Sequence, residues 1–243
     1  MTATKGTVAL VGSGEFLEPI ETLDRELLKR LNGTPHVVIL PTASALDGPG
    51  VSERWAQMGT KHFASLGASA EAVMLLTRED AESATLANRI AAANFVYFSG
   101  GKPQYLLETL RDTACWHAIV DVFAAGGVIA GCSAGAMVLA EYMLAWPQFK
   151  RTIPALGLAP GIAIIPHFDQ VPGWITSVVR MVPKGITVVG VEGSTALVGS
   201  EQSWTVCGRG SVTLFAGKRK QQNRAGESVP LPTITSTTPI SEG

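Results

Sequence analysis

The sequence has little of what specialised folds and partners require. Its three cysteines, Cys115, Cys132 and Cys207, lie far apart with no C-x-x-C pair. That excludes a disulfide scaffold and a structural zinc site as the basis of the fold. Neither sign of charge dominates: 19 Lys and Arg against 20 Asp and Glu leave a formal net charge of -1. Nucleic-acid and membrane-surface proteins carry a basic excess that is missing here. No apolar run approaches the roughly 18–20 residues needed to span a bilayer. Met1 to Gly6 lead into only a short apolar run, without the pattern of a secretory signal. Hydrophobic residues, by contrast, make up 46% of the 243, enough for a substantial core. The expectation is a cytoplasmic protein with one large domain over 1–217 and a polar, flexible tail over 218–243.

What is present is a regular alternation. Short apolar runs at Thr7–Val11, Val37–Leu40, Glu71–Leu76, Phe95–Phe98 and Gly127–Ala130 read as strands. Between them, stretches near 20–31, 51–66, 79–92, 104–110 and 116–125 carry helical spacing. Strands alternating with amphipathic helices predict an α/β fold, a parallel sheet covered by helices on both faces. Glycine-rich or small-residue loops follow the first, second, fourth and fifth strands, on the edge where open α/β sheets bind ligands. Further strands are expected at Gly161–Ile165 and Thr187–Val191, with a helix over Trp174–Val182 between them. Thr195–Val198, Trp204–Cys207 and Ser211–Phe215 read as a small antiparallel extension.

The chemistry centres on Gly131-Cys132-Ser133-Ala134-Gly135, which joins the fifth strand to an apolar helix. One serine flanked by small residues at a strand-to-helix turn is the pattern of a nucleophile elbow. A serine hydroxyl needs a base, and histidine is the usual one. His36 lies at the amino end of a strand and His62 and His117 within helices, whereas His167 follows the carboxyl end of a strand on the edge of Ser133. A carboxylate should orient the imidazole. Glu192, at the end of the next strand, is favoured over Asp169, two residues past His167; Glu141 stands too far along the helix after Ser133. The backbone N–H of Ala134 and the Ser99-Gly100-Gly101 loop are the candidate oxyanion donors, with Lys102 and Gln104 next to the substrate. Gly12-Ser13-Gly14 lacks the third glycine of a nucleotide-binding loop, since Leu17 stands there.

Taken in order, Phe98-Ser99-Gly100-Gly101-Lys102-Pro103-Gln104, Gly131 to Ala136 and Pro166-His167-Phe168 resemble the dipeptidase E and cyanophycinase family of serine peptidases. Gly157 to Gly161 and Val191 to Leu197 look like the cyanophycinase branch. The resemblance implies a flavodoxin-like three-layer sandwich related to class I glutamine amidotransferases. It implies hydrolysis of peptide bonds involving aspartate, without metal or other cofactor. It puts Ser133 on the nucleophile, His167 on the base, Gly101 and Ala134 on the oxyanion region and Gln104 on a substrate contact. The chain departs from the family in two places. No acidic residue lies between Glu141 and His167, which leaves Glu192 or Asp169 as the third member. No arginine occurs in His167 to Trp174, where cyanophycinases hold their substrate; Val171, Pro172 and Trp174 suggest a more apolar pocket.

The expected function is a serine peptidase of dipeptidase or exopeptidase type, acting through an acyl-enzyme on Ser133. The alternative is a non-catalytic amidotransferase-like module that binds a small metabolite or a partner. Cys132, one residue early, is the less suitable nucleophile because its side chain should point into the fold. A small peptide or amide is the expected partner, with a homodimer left open and neither nucleic acid nor membrane.

Overall fold

The computed structural model describes residues 6–145, 151–171, 181–200, 203–217 and 219–231. Its first half alternates strand and helix. The strands are β1 (Thr7–Val11), β2 (His36–Leu40), β3 (Ser69–Ala72), β4 (Phe95–Phe98) and β5 (Val128–Cys132). The helices are α1 (Glu21–Leu28), α2 (Val51–Ser65), α3 (Arg78–Ala81), α4 (Ala84–Ala91), α5 (Pro103–Leu110), α6 (Ala114–Ala124) and α7 (Ala134–Leu139). The second half is mainly strand: β6 (Ala140–Leu144), β7 (Thr152–Pro154), β8 (Ala159–Ile165), β9 (Thr187–Val191), β10 (Thr195–Gly199), β11 (Trp204–Gly208), β12 (Ser211–Ala216), β13 (Arg219–Arg224) and β14 (Ser228–Val229).

These strands form two sheets. In the first, β1, β5, β4, β2 and β3 lie side by side in parallel, and β10, β11 and β14 continue antiparallel beyond β1. In the second, β6, β8 and β9 are parallel, flanked by antiparallel β7 on one side and β12 and β13 on the other. The fold is thus mixed α/β with mostly parallel sheet centres.

The strands of the parallel centre are nearly continuous in apolar residues because both faces are covered. Their two-residue period divides the interior. Ala9, Val11, Val37, Ile39, Phe95, Tyr97, Ala130 and Cys132 pack with α1 and α2. Val8, Leu10, Val38, Leu40, Val96, Phe98 and Ile129 face the opposite way. That second core also takes in Leu106 and Leu107 of α5, Met137 and Val138 of α7, and Ile162, Ile164, Val189 and Val191 of the second sheet. A single apolar body therefore joins α5 and α7 to both sheets, and fixes the second sheet beside the carboxyl edge of the first.

The third strand, expected at Glu71–Leu76, is instead Ser69–Ala72, and four further segments differ from the sequence expectation. The helix read over 79–92 is two, because Ser83 accepts a bond from the Leu86 N–H and starts α4 afresh. The helix after Ser133 ends at Leu139, and Ala140 to Leu144 pair as a strand. The strands after 195 do not form one extension: β10 and β11 join the first sheet, β12 and β13 the second. Residues 219–224 and 228–229, read as flexible tail, are paired strands. β13 carries Arg219, Lys220, Gln221 and Gln222 exposed, so it is held by backbone pairing to β12 rather than by an apolar face, and its charges suit an unpaired sheet edge. The helix expected over Trp174–Val182 falls mostly outside the described residues.

A local electrostatic feature starts α3. The Thr77 hydroxyl accepts from the Asp80 N–H, and the Asp80 carboxylate accepts from the N–H groups of Leu76 and Thr77. Burial acts to raise the Asp80 pKa, but these bonds outweigh it and hold the carboxyl below its ordinary value of 3.8. A depressed carboxylate stabilises the fold fully above its unfolded pKa, and the contribution is lost as pH falls through the folded value. Asp80→Asn is expected to be less stable than the parent at neutral pH, with the gap closing below pH 3.8; urea unfolding at several pH values checks this.

Candidate active site

Ser133 sits where β5 turns into α7, with φ 50° and ψ -105°. For a non-glycine residue this backbone is strained by about 1–3 kcal/mol, and it persists only where its surroundings enforce it. The enforcement is visible. The Ser133 N–H donates to the carbonyl of Val11 at 3.0 Å, and its own carbonyl accepts from Met137 at 3.1 Å. The flanking glycines leave no room for side chains. A Cβ on Gly131 would lie 2.4 Å from the Gly135 carbonyl carbon, and one on Gly135 would lie 2.8 Å from Phe98.

His167 follows β8 and also has positive φ, 52°. Its Nε2 lies 3.0 Å from the Ser133 Oγ. In the Nδ1-protonated tautomer, Nε2 accepts the serine proton. The next residue anchors the turn: the Phe168 N–H donates to Val191, and the ring packs on Gly190 and edge-on to Phe215. The base is therefore carried by the second sheet and the nucleophile by the first.

The Ser99-Gly100-Gly101 loop lies against the elbow. Gly101 has φ 144°, and a Cβ there would lie 2.3 Å from the Ala43 carbonyl oxygen. The Lys102 N–H donates to that same carbonyl at 2.7 Å. Among the described residues, the N–H groups of Gly101 and Ala134 have no hydrogen-bond partner. Both line a cavity of about 230 Å³ that also contains Ser133 and His167 and is walled by Pro103, Met137, Leu144, Ile164, Ile165 and Val171. A larger, open hollow of about 380 Å³ beside Leu46 and Pro49 contains neither Ser133 nor His167.

The remaining sequence candidates are dispersed. Gln104, in the first turn of α5, donates to Glu108 one turn on and is not among the cavity residues. The Glu192 carboxylate accepts from the Ser211 N–H at 2.8 Å and from the Ser211 hydroxyl at 2.7 Å, so both oxygens are engaged there. Asp169 Oδ1 accepts from the Gly193 N–H at 2.8 Å. Glu141 accepts from the Gly161 N–H. Among the described residues, no carboxylate is hydrogen-bonded to the His167 ring. His62 pairs with buried Asp24, His36 reaches the Ala92 carbonyl, and His117 is exposed on α6. The Gly12-Ser13-Gly14 loop packs on the 192–194 turn, where the Ser194 N–H donates to the Ser13 carbonyl.

Sequence reasoning missed Glu15. It is 7% exposed and lies behind the elbow. Its Oε1 accepts from the Gly100 N–H at 2.9 Å, and its Oε2 accepts from the Cys132 thiol at 2.9 Å. One carboxylate thus ties the glycine loop to the residue before the nucleophile. The available signal was an acid just past the loop that ends β1. Cys132 is fully buried. Burial, and then the charge of Glu15, push its thiol far above the ordinary range, so it is not a reactive thiolate.

A strained serine bonded to a histidine on a carboxyl sheet edge defines the architecture of a serine hydrolase. The model of peptidase family S51 matches residues 8–207, and the chain belongs to that family. It is similar to the crystal structure of a peptidase from an acI-B1 Actinobacterium, with 32% identity and a TM-score of 0.84, covering 93% of this chain and 97% of that one. It shares 27% identity over 144 residues with the uncharacterized peptidase Lmo0363 of Listeria monocytogenes serovar 1/2a, covering 56% of this chain and 67% of that protein. A candidate peptidase E protein of Listeria monocytogenes EGD-e shares the fold, with a TM-score of 0.60 at 20% identity over 91% of this chain and all of that one. The chain is a serine-type peptidase, and the reading as a non-catalytic module is not favoured.

The Glu15 contacts predict a graded result. Glu15→Ala leaves the Gly100 N–H without its acceptor, which costs about 1–3 kcal/mol for a buried amide, and removes a weaker bond from the Cys132 thiol. Glu15→Gln, which keeps an acceptor for Gly100, should lose less. Denaturant midpoints of the two variants against the parent check the order.

Proposed function

We propose that Ser133 is the acylated nucleophile of this peptidase and His167 its general base and acid. The observation that carries the reading is the 3.0 Å contact between Ser133 Oγ and His167 Nε2, made by a serine on strained backbone. In the first step the Ser133 Oγ forms a bond to the scissile carbonyl carbon, and its proton passes to Nε2. The carbonyl oxygen takes up negative charge facing the Gly101 and Ala134 N–H groups. The C–N bond then breaks, and the imidazolium returns the proton to the leaving amine. Water reverses the sequence and frees the acyl group.

Two successive amides divide the work in the glycine loop. The Gly100 N–H is committed to Glu15, which leaves that of Gly101 for the oxyanion. The small cavity favours a short substrate, which fits a dipeptidase or exopeptidase. Three free cysteines agree with a cytoplasmic location.

For the carboxylate, Asp169 is the better candidate than Glu192. Its Oδ2 has no hydrogen-bond partner among the described residues, whereas Glu192 is engaged twice by Ser211. Asp169→Asn should lower kcat by roughly tenfold or more without a matching loss of stability. Glu192→Ala should instead lower the unfolding midpoint, because charged hydrogen bonds of this kind contribute about 1.5–3 kcal/mol. Activity lost in the Glu192 variant at unchanged stability would reverse the assignment.

A fluorophosphonate probe tests the core of the proposal. It should label Ser133 in the parent, fail on Ser133→Ala and react far more slowly with His167→Ala. Peptide hydrolysis should fall by a factor on the order of 10⁴ or more in either variant. A folded parent that neither labels nor hydrolyses would reject these roles.

A further inference from the structure

Resting on Ser133 as the nucleophile, we propose that the 230 Å³ cavity beside it receives the side chain of the acyl residue, and that this side chain is neutral and aliphatic. The walls carry the argument. Pro103, Met137, Leu144, Ile164, Ile165 and Val171 offer no charge, and Leu144, Ile164 and Ile165 are almost fully buried. An ionised side chain entering such a space loses its water and gains no counter-ion.

The surroundings point the same way. The sequence holds no Lys or Arg from Thr152 to Val179, the stretch that contains β8, His167 and Val171. Lys102 follows the oxyanion loop, but its ammonium bonds the Leu46 carbonyl at 2.7 Å and pairs with Asp47 at 3.2 Å. Two carboxylates stand near the reactive pair, Glu15 behind the elbow and Asp169 two residues past His167 in the chain, and neither offers an aspartyl group a counter-charge. Size agrees as well. The cavity exceeds the roughly 150 Å³ that admits benzene to an apolar core, and falls short of the roughly 300–1,000 Å³ of sites for larger ligands. At about 230 Å³ it has room for a side chain beside the reacting carbonyl but not for a long ligand.

The acyl residue is the natural occupant. Its carbonyl carbon becomes bonded to the Ser133 Oγ with the oxygen toward Gly101 and Ala134, all of which line this cavity. The leaving amine departs past the imidazole that must protonate it.

The test compares leucine and aspartate 7-amido-4-methylcoumarins, which share one leaving group. Leucine should exceed aspartate in kcat/KM by about 100-fold or more. Val171→Arg, which places a cation at the cavity wall, should shrink that ratio at least tenfold. Leu-Asp should be cleaved in preference to Asp-Leu. A parent that labels at Ser133 but favours aspartate, or does not discriminate, overturns this inference while leaving the hydrolase assignment intact. A parent that neither labels nor hydrolyses overturns the assignment itself. Calorimetric binding of Leu-Ala and Asp-Ala to folded Ser133→Ala reads the cavity without chemistry: tighter Leu-Ala supports the inference, and equal or tighter Asp-Ala overturns it.

Discussion

The backbone conformation of Ser133 is the constraint on which the rest of the site depends. At φ 50° and ψ -105° it is unfavourable for any residue with a side chain. The fold supplies what holds it: β1 takes its N–H, and α7 presses against β4 through glycines that permit backbone contact. The residues on either side follow from this. Cys132 points down into the core with α1 and α2, so Ser133 can stand clear on the edge. Gly100 and Gly101 can approach because neither carries a side chain that would strike Glu15 or Ala43.

Burial of a carboxylate behind this turn is costly unless it is well bonded. Glu15 meets that condition with one amide and one thiol. It does so without touching the cavity in which peptide chemistry is proposed. The site therefore has an ionisable interior that braces its geometry, and a reactive surface that is mostly hydrocarbon. The second sheet supplies the other half, bringing His167 and the walls Ile164 and Ile165 to a serine that belongs to the first.

Much of this was legible in the sequence because the decisive signals are local. The elbow, the double glycine and the histidine past a strand each announce a turn at one sheet edge, and the alternation of strands and helices places those turns together. Other features leave no local trace. A glutamate after a glycine loop looks the same whether it is solvated or, like Glu15, folded inward. The polar β13 has no apolar alternation because it is held by hydrogen bonds to β12. The break at Ser83 replaces one long helix with two because a hydroxyl cap competes with helix continuation. The partner of the His167 ring depends on where long carboxylate side chains turn, and Ser211, which turns Glu192 aside, comes from a strand remote in sequence.

The division of Ser133 and His167 between two sheets gives their 3.0 Å contact a further meaning. It is a gauge of how the sheets sit on one another. Phe168 locks the histidine to β9 and β12, while Val11 locks the serine to β1. Slippage of a single ångström between the two bodies would part the proton donor from its acceptor while leaving each sheet internally whole. Catalytic competence should therefore track the seating of the shared apolar layer more closely than it tracks the content of secondary structure.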